Sequence, residues 1–149
     1  MIDFIKKNAL HGAWTGSLIA MLGSLYFSEI ANFPPCVLCW YQRIAMYPLV
    51  IVLGFAIYKK DRNFLLPAFV FAIAGWLIAV YHNLLYYEIL PEAAAPCIAG
   101  VSCTTKFIEW FGFLTIPLLA FLGFSAIITG LIIHWRSTSR ANVQELSNE

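Results

Sequence analysis

Four long apolar stretches, at residues 13–30, 41–58, 64–87 and 111–135, constrain this chain more than anything else in it. Each is close to the roughly 20 residues a helix needs to cross the hydrocarbon core of a bilayer. Strands of a membrane barrel would be about half as long and would alternate in polarity, which these do not. With 61% of the 149 residues hydrophobic and 11% charged, a soluble domain could not hide so much apolar surface. Helices satisfy their own backbone groups in lipid, so the pattern predicts an all-α integral membrane protein. The expected architecture is one four-transmembrane-helix bundle over residues 1–136, followed by a solvated polar tail at 137–149.

The cations orient the bundle. Lys6 and Lys7 precede the first stretch, Lys59, Lys60 and Arg62 separate the second from the third, and Arg136 and Arg140 follow the fourth. Seven of the nine Lys and Arg residues therefore share one side, which the positive-inside rule makes cytoplasmic. Both termini are then cytoplasmic and the other two connections face out. The first stretch is longer than the apolar core of a cleaved signal peptide, and its removal would leave three spans with conflicting charge bias. It is read as a retained helix. A net charge of +1 without a basic stripe gives no reason to expect nucleic acid.

All four cysteines fall in the outward connections, Cys36 and Cys39 in the first and Cys97 and Cys103 in the second. Cysteines used only as small apolar fillers would be at home in the spans. The outer face of a bacterial membrane is where disulfides persist, so the chain reads as carrying two dithiol/disulfide couples. The string "PPCVLCWYQR" gives the first couple its chemistry. Pro34 and Pro35 suit the start of a helix, so the second helix should begin at or just after Cys36. A thiol in a first helical turn meets unpaired N–H groups and the positive end of the dipole, which favour thiolate.

From Cys36, positions 39 and 43 fall at i+3 and i+7 and share a helix face, so Arg43 lies one turn below Cys39. An arginine at that depth is costly to bury. It can stabilise a Cys39 thiolate or an anionic ligand oxygen, or it can snorkel to headgroups or pair with Glu88 or Glu109. Zinc held by four thiolates usually wants two closely spaced pairs, whereas five residues separate Cys97 from Cys103, so no metal ligand is assigned. Haem c is excluded because Trp40 stands where its histidine is required. No span carries a row of ionisable groups, which argues against transport. The non-enzymatic alternative is a membrane protein whose loops are stapled by structural disulfides, but a C-x-x-C loop is too small to constrain much.

These residues resemble the disulfide bond formation protein B (DsbB) family. The match rests on "CVLCWYQR" at the head of the second helix, four spans, and a second cysteine pair in the other outer loop. The compact second loop looks like the Gram-positive branch called BdbC. The vitamin K epoxide reductase fold places its C-x-x-C after its loop cysteines, the reverse of the order here. The resemblance implies a thiol:quinone oxidoreductase of the bacterial cell membrane. It would reoxidise an extracytoplasmic thioredoxin-like thiol:disulfide oxidoreductase of the DsbA/BdbD kind. Carried over by position, Cys97 is the sulfur attacked by that partner, Cys103 exchanges with Cys36, and Cys39 faces the quinone. Arg43 matches the family arginine beside the quinone, and His82, in "AVYHNLLYYEIL", resembles a family histidine near the same ring. Menaquinone is favoured by the likeness to the Gram-positive branch, with ubiquinone the alternative. His82 should lie about one turn from the outer end of its span, near the level of Arg43, where it could equally be a packed, hydrogen-bonded side chain.

Overall fold

A computed structural model describes residues 2–91, 103 and 115–146, with side chains placed from residue 8 to residue 139 within those stretches. Among the described residues the elements are all helical: α1 (Ile2–Leu25), a π-helical turn (Tyr26–Ile30), α2 (Val37–Lys59), a 3₁₀ turn (Arg62–Phe64), α3 (Leu65–Tyr86) and α4 (Ile116–Leu146). α1 and α3 each pack against both α2 and α4, so the four helices form a ring.

The helix boundaries have local causes. Cys36 is the N-cap of α2, and Thr115 precedes α4, where its Oγ1 accepts from the Leu118 N–H at 3.3 Å. α2 ends at Lys60, whose φ of 53° closes the helix in the left-handed conformation. Asp61 then accepts from the Asn63 N–H at 2.9 Å, starting the short turn that leads into α3. Arg62 stacks over the Trp135 ring at 5.1 Å and donates to Ser139 Oγ at 3.1 Å. The α2–α3 connection and the end of α4 therefore lie at the same end of the bundle. Cys36 is at the other end, across a helix about 35 Å long at 1.5 Å per residue.

The core is built on small residues. Ala68, Ala72 and Ala79 of α3 are fully buried, and with Gly75 between them they let neighbouring helices approach closely. Leu49 and Leu53 of α2 and Phe124, Ile127 and Leu131 of α4 fill the same cluster. Two hydrogen bonds tie α3 to α4: Trp76 Nε1 to Ser125 Oγ at 3.0 Å and Asn83 Nδ2 to the Pro117 carbonyl at 2.8 Å. Outward faces carry Ile51, Tyr58, Leu66, Val70 and Leu122, exposed apolar side chains suited to lipid.

Three helical segments, Val37–Lys59, Arg62–Tyr86 and Ile116–Ser139, are long and apolar enough to cross a membrane. α1 is long enough, but its glycines, serines and threonine dilute its apolar character, and it is not among those three. The fourth helix also differs from expectation. It runs on to Leu146, so most of the polar segment expected as a tail continues α4.

Gly75 is the tightest of these contacts, because a Cβ there would fall inside the van der Waals envelope of the buried Phe124 ring. Gly75→Ala is expected to destabilise the detergent-solubilised protein by about 1–3 kcal/mol, as overpacking does. Gly12→Ala, which meets nothing within 4 Å, should leave the unfolding midpoint unchanged or raised. Equal midpoints for the two variants would refute this account of the α3–α4 contact.

Candidate functional site

The two prolines hold residues 34–35 extended, and the chain turns into α2 with Cys36 as its cap. The Cys39 N–H donates to Cys36 Sγ at 3.3 Å, the usual bond of an N-cap acceptor, here made by sulfur. The same turn brings the two sulfurs to 2.7 Å, and both residues are free cysteines. The C-x-x-C spacing has therefore produced a vicinal dithiol at a helix N-terminus, as the sequence predicted.

His82 closes the site from α3. Its Nε2–H donates to the Cys103 carbonyl at 3.1 Å and lies 3.8 Å from Cys36 Sγ. Donation to a carbonyl fixes the proton on Nε2. One ring nitrogen thus ties the Cys103 backbone to Cys36. Cys103 is disulfide-bonded and buried, and it packs with Cys36, Leu38 and Leu85 in a second apolar cluster. Cys103 therefore sits beside the first pair. Cys97 lies outside the described residues. His82 is one turn from the end of α3, as expected, but its partners are Cys36 and Cys103 rather than groups beside Arg43.

The thiol of Cys39 donates to Cys36 and is the largest cause of a Cys36 pKa pushed down to about 4. Burial opposes this shift; the His82 hydrogen bond and charge and the Cys39 N–H reinforce it. Cys36, just ahead of the membrane-spanning part of α2, is therefore a stabilised thiolate at neutral pH.

Arg43 lies one turn beyond Cys39, as the spacing required. It is buried and is not paired with Glu88; Glu109 lies outside the described residues. Its Nε donates to Ser24 Oγ and its Nη2 to the Ser24 carbonyl, both at 2.9 Å, while the guanidinium sits 5.2 Å over the Trp40 ring. Ser24 is a site residue that sequence reasoning missed. Its only signal is a hydroxyl near the outer end of an apolar stretch, just before the helix widens into its π turn.

Cys36, Cys39, Arg43, His82 and Cys103 all line one cavity of about 510 Å³. Its walls are mostly apolar, drawn from α1 (Ile19, Ala20), α2 (Met46) and α4 (Leu119, Ala120). That size and lining suit a small organic ligand. A metal is the other occupant to weigh, since the ligand atoms of Cys36, Cys39 and His82 lie within 4.8 Å of one another. The proton on His82 Nε2 opposes ligation through that nitrogen, and the disulfide at Cys103 removes the fourth thiolate that a four-cysteine zinc site would need.

Comparison with known proteins agrees with this geometry. A family profile described as "Disulfide bond formation protein DsbB" matches residues 6–134. "Disulfide bond formation protein C" of Bacillus subtilis (strain 168) is 49% identical over 122 residues, covering 80% of this chain and 86% of its own. "Probable disulfide formation protein C 2" of Bacillus anthracis is 48% identical over 134 residues, covering 89% and 94%. No solved structure matches the chain. The chain belongs to the disulfide bond formation protein DsbB family.

Alkylation of Cys36 in the reduced protein should keep its rate as pH falls from about 8 to about 5, because the thiolate is the nucleophile. The rate should drop only as pH passes through about 4. Cys39→Ala removes the largest cause and should move the half-point upward by several pH units. A wild-type profile with its half-point near the ordinary thiol value of 9.0 would contradict the assignment.

Proposed function

We propose that this member of the DsbB family is a membrane thiol:quinone oxidoreductase. It reoxidises an extracytoplasmic thioredoxin-like protein and passes the electrons to a membrane quinone, supporting disulfide formation in exported proteins. The observation that carries this reading is the shared cavity: a free dithiol, a disulfide-bonded cysteine and a buried guanidinium on one apolar wall. The names of the Bacillus relatives support disulfide formation as the outcome. The basic connection at the opposite end of α2 supports a bundle of four spans with cytoplasmic termini and the cysteines outside.

With Cys36 and Cys39 free, this reading assigns Cys97 as the partner of Cys103. A thiolate of the reduced partner protein attacks Cys97, breaks the Cys97–Cys103 bond and releases the Cys103 thiolate. Cys103 attacks Cys36 of an oxidised Cys36–Cys39 pair, and Cys39 leaves as thiolate. The partner's second thiolate then attacks its own mixed disulfide and frees Cys97, which displaces Cys36 from Cys103. The partner has become oxidised, Cys97–Cys103 is restored, and Cys36 and Cys39 hold two electrons. A stabilised Cys36 thiolate is a good leaving group for that last displacement, and His82 Nε2–H supports it.

The cavity fits a quinone: its walls are apolar, it borders the Cys39 thiol, and Arg43 and other polar side chains supply hydrogen-bond donors. When bound there, the quinone would accept two electrons and two protons as the Cys36–Cys39 disulfide reforms. Arg43 and Cys39 would hold its head group, and Ser24 would fix the guanidinium in place. Menaquinone is the favoured head group, on likeness to Gram-positive relatives.

Purified protein supplied with a reduced thioredoxin-like donor should reduce a short-chain quinone, and Cys39→Ser should abolish this. Cys97→Ala should prevent formation of the mixed disulfide with the donor. Arg43→Ala should raise the apparent KM for quinone about tenfold, the loss of about 1.4 kcal/mol from a charge-assisted contact. Full turnover in Cys39→Ser would defeat the proposal. An unchanged KM in Arg43→Ala would limit that arginine to its contacts with Ser24 and Trp40.

A further inference from the structure

Buried polar atoms without partners are expensive, about 1–3 kcal/mol each, and folded chains keep few of them. Among the described residues four side-chain atoms are in that state: Gln42 Nε2, Tyr47 Oη, His82 Nδ1 and Asn83 Oδ1. Gln42, Tyr47 and His82 all line the cavity that holds the dithiol. Asn83 does not, and its Nδ2 is occupied by two backbone carbonyls. Unsatisfied hydrogen-bonding capacity is thus concentrated around one cavity, as expected where the missing partner is a ligand.

Gln42 is the sharpest case. It is 8% exposed, in the first turns of an otherwise apolar span. Cys39, Gln42, Arg43 and Met46 are at i, i+3, i+4 and i+7, one face of α2, and all four line the cavity. Packing alone would favour leucine or methionine there. A primary amide adds two N–H donors and a carbonyl. Arg43, its neighbour, can only donate, and it spends Nε and Nη2 on Ser24.

We propose that Gln42 is a quinone-binding residue whose Nε2 donates to a carbonyl oxygen of the head group, with the Tyr47 hydroxyl as a second donor lining the same cavity. This rests on reading the cavity as the quinone site. The amide suits both redox forms of the ligand, because it donates to a quinone oxygen and can accept from the hydroxyl that replaces it.

The test compares wild type with Gln42→Met and Tyr47→Phe, in the full-length protein in detergent. Each substitution removes a donor with little change in shape. Without quinone, both variants should unfold at the wild-type temperature or above it, since an orphaned buried group has been deleted. With a short-chain naphthoquinone, the ligand-induced rise in midpoint should shrink and Kd should increase about tenfold for Gln42→Met, about 1.4 kcal/mol. In turnover, KM for quinone should rise by a similar factor while kcat stays within about twofold. An unchanged Kd in both variants would overturn the inference while leaving the parent reading intact. A wild-type protein that neither binds nor reduces quinone would sink both. If Gln42→Met does not fold, Tyr47→Phe, which loses a single oxygen, decides the question through the same Kd measurement.

Discussion

A guanidinium buried among apolar helices has to find its hydrogen-bond partners inside the protein, and the Cys36 end of this bundle is organised around that requirement. Arg43 is buried, and α1 supplies it with a hydroxyl and a carbonyl from one residue, Ser24. A backbone carbonyl has two lone pairs, so it can accept from a side chain while serving the helix ladder. α1 passes from α-helical to π-helical winding immediately after Ser24, at Tyr26–Ile30. The arginine therefore pins α1 to α2 at the level of the cavity, and Trp40 covers the remaining face of the cation. Losing any one of these partners would leave a charge in low dielectric, which is why the arrangement is fixed rather than adaptable.

On the other side of the dithiol, the same logic runs through an imidazole. His82 Nε2–H is shared between the Cys103 carbonyl and the Cys36 sulfur. A single donor thus senses both the position of the second cysteine couple and the charge on the first. Exchange between couples needs the sulfurs close and one of them anionic. The helix N-terminus, the Cys39 thiol and His82 together provide the anion, and packing against Leu38 and Leu85 provides the proximity.

Much of this was legible in the sequence because it follows from helical periodicity. The start of α2 at Cys36, the face shared by Cys39 and Arg43, and the place of His82 one turn from its helix end all follow from a 3.6-residue repeat and proline chemistry. What periodicity cannot supply is the partner across an interface. Ser24 and Arg43 are 19 positions apart, and His82 and Cys36 are 46 apart. No local rule singles out one serine among those of α1, or moves His82 from the arginine's level to that of the thiols. Gln42 stood in the quoted motif and still passed unnoticed, because an amide near a span end is unremarkable until its neighbours prove unable to satisfy it. The polar segment after Trp135 misled in the opposite way. Polarity there suggests a solvated tail at 137–149, whereas α4 continues to Leu146 and Arg62 reaches Ser139 from the neighbouring connection.

The first helix shows how the site and the membrane compete for the same residues. Among the described helices, α1 is the long one not apolar enough to cross a membrane by composition, and half of the glycines, serines and threonine that dilute it line the cavity. Gly16, Gly23 and Ser24 line the cavity, and Ser24 also holds Arg43. A Cβ on Gly16 or Gly23 would meet no protein atom within 4 Å, so these glycines keep space open rather than permit tight packing. Replacing them with leucine would make α1 a better span and would fill the cavity. Its stability in the bundle therefore has to come from α2 and α4, through contacts such as Ala13 against Gly130 and Trp14 against Gly54. A helix too weakly apolar to stand out as a span is what remains when one wall of a lipid-embedded cavity is kept small and partly polar.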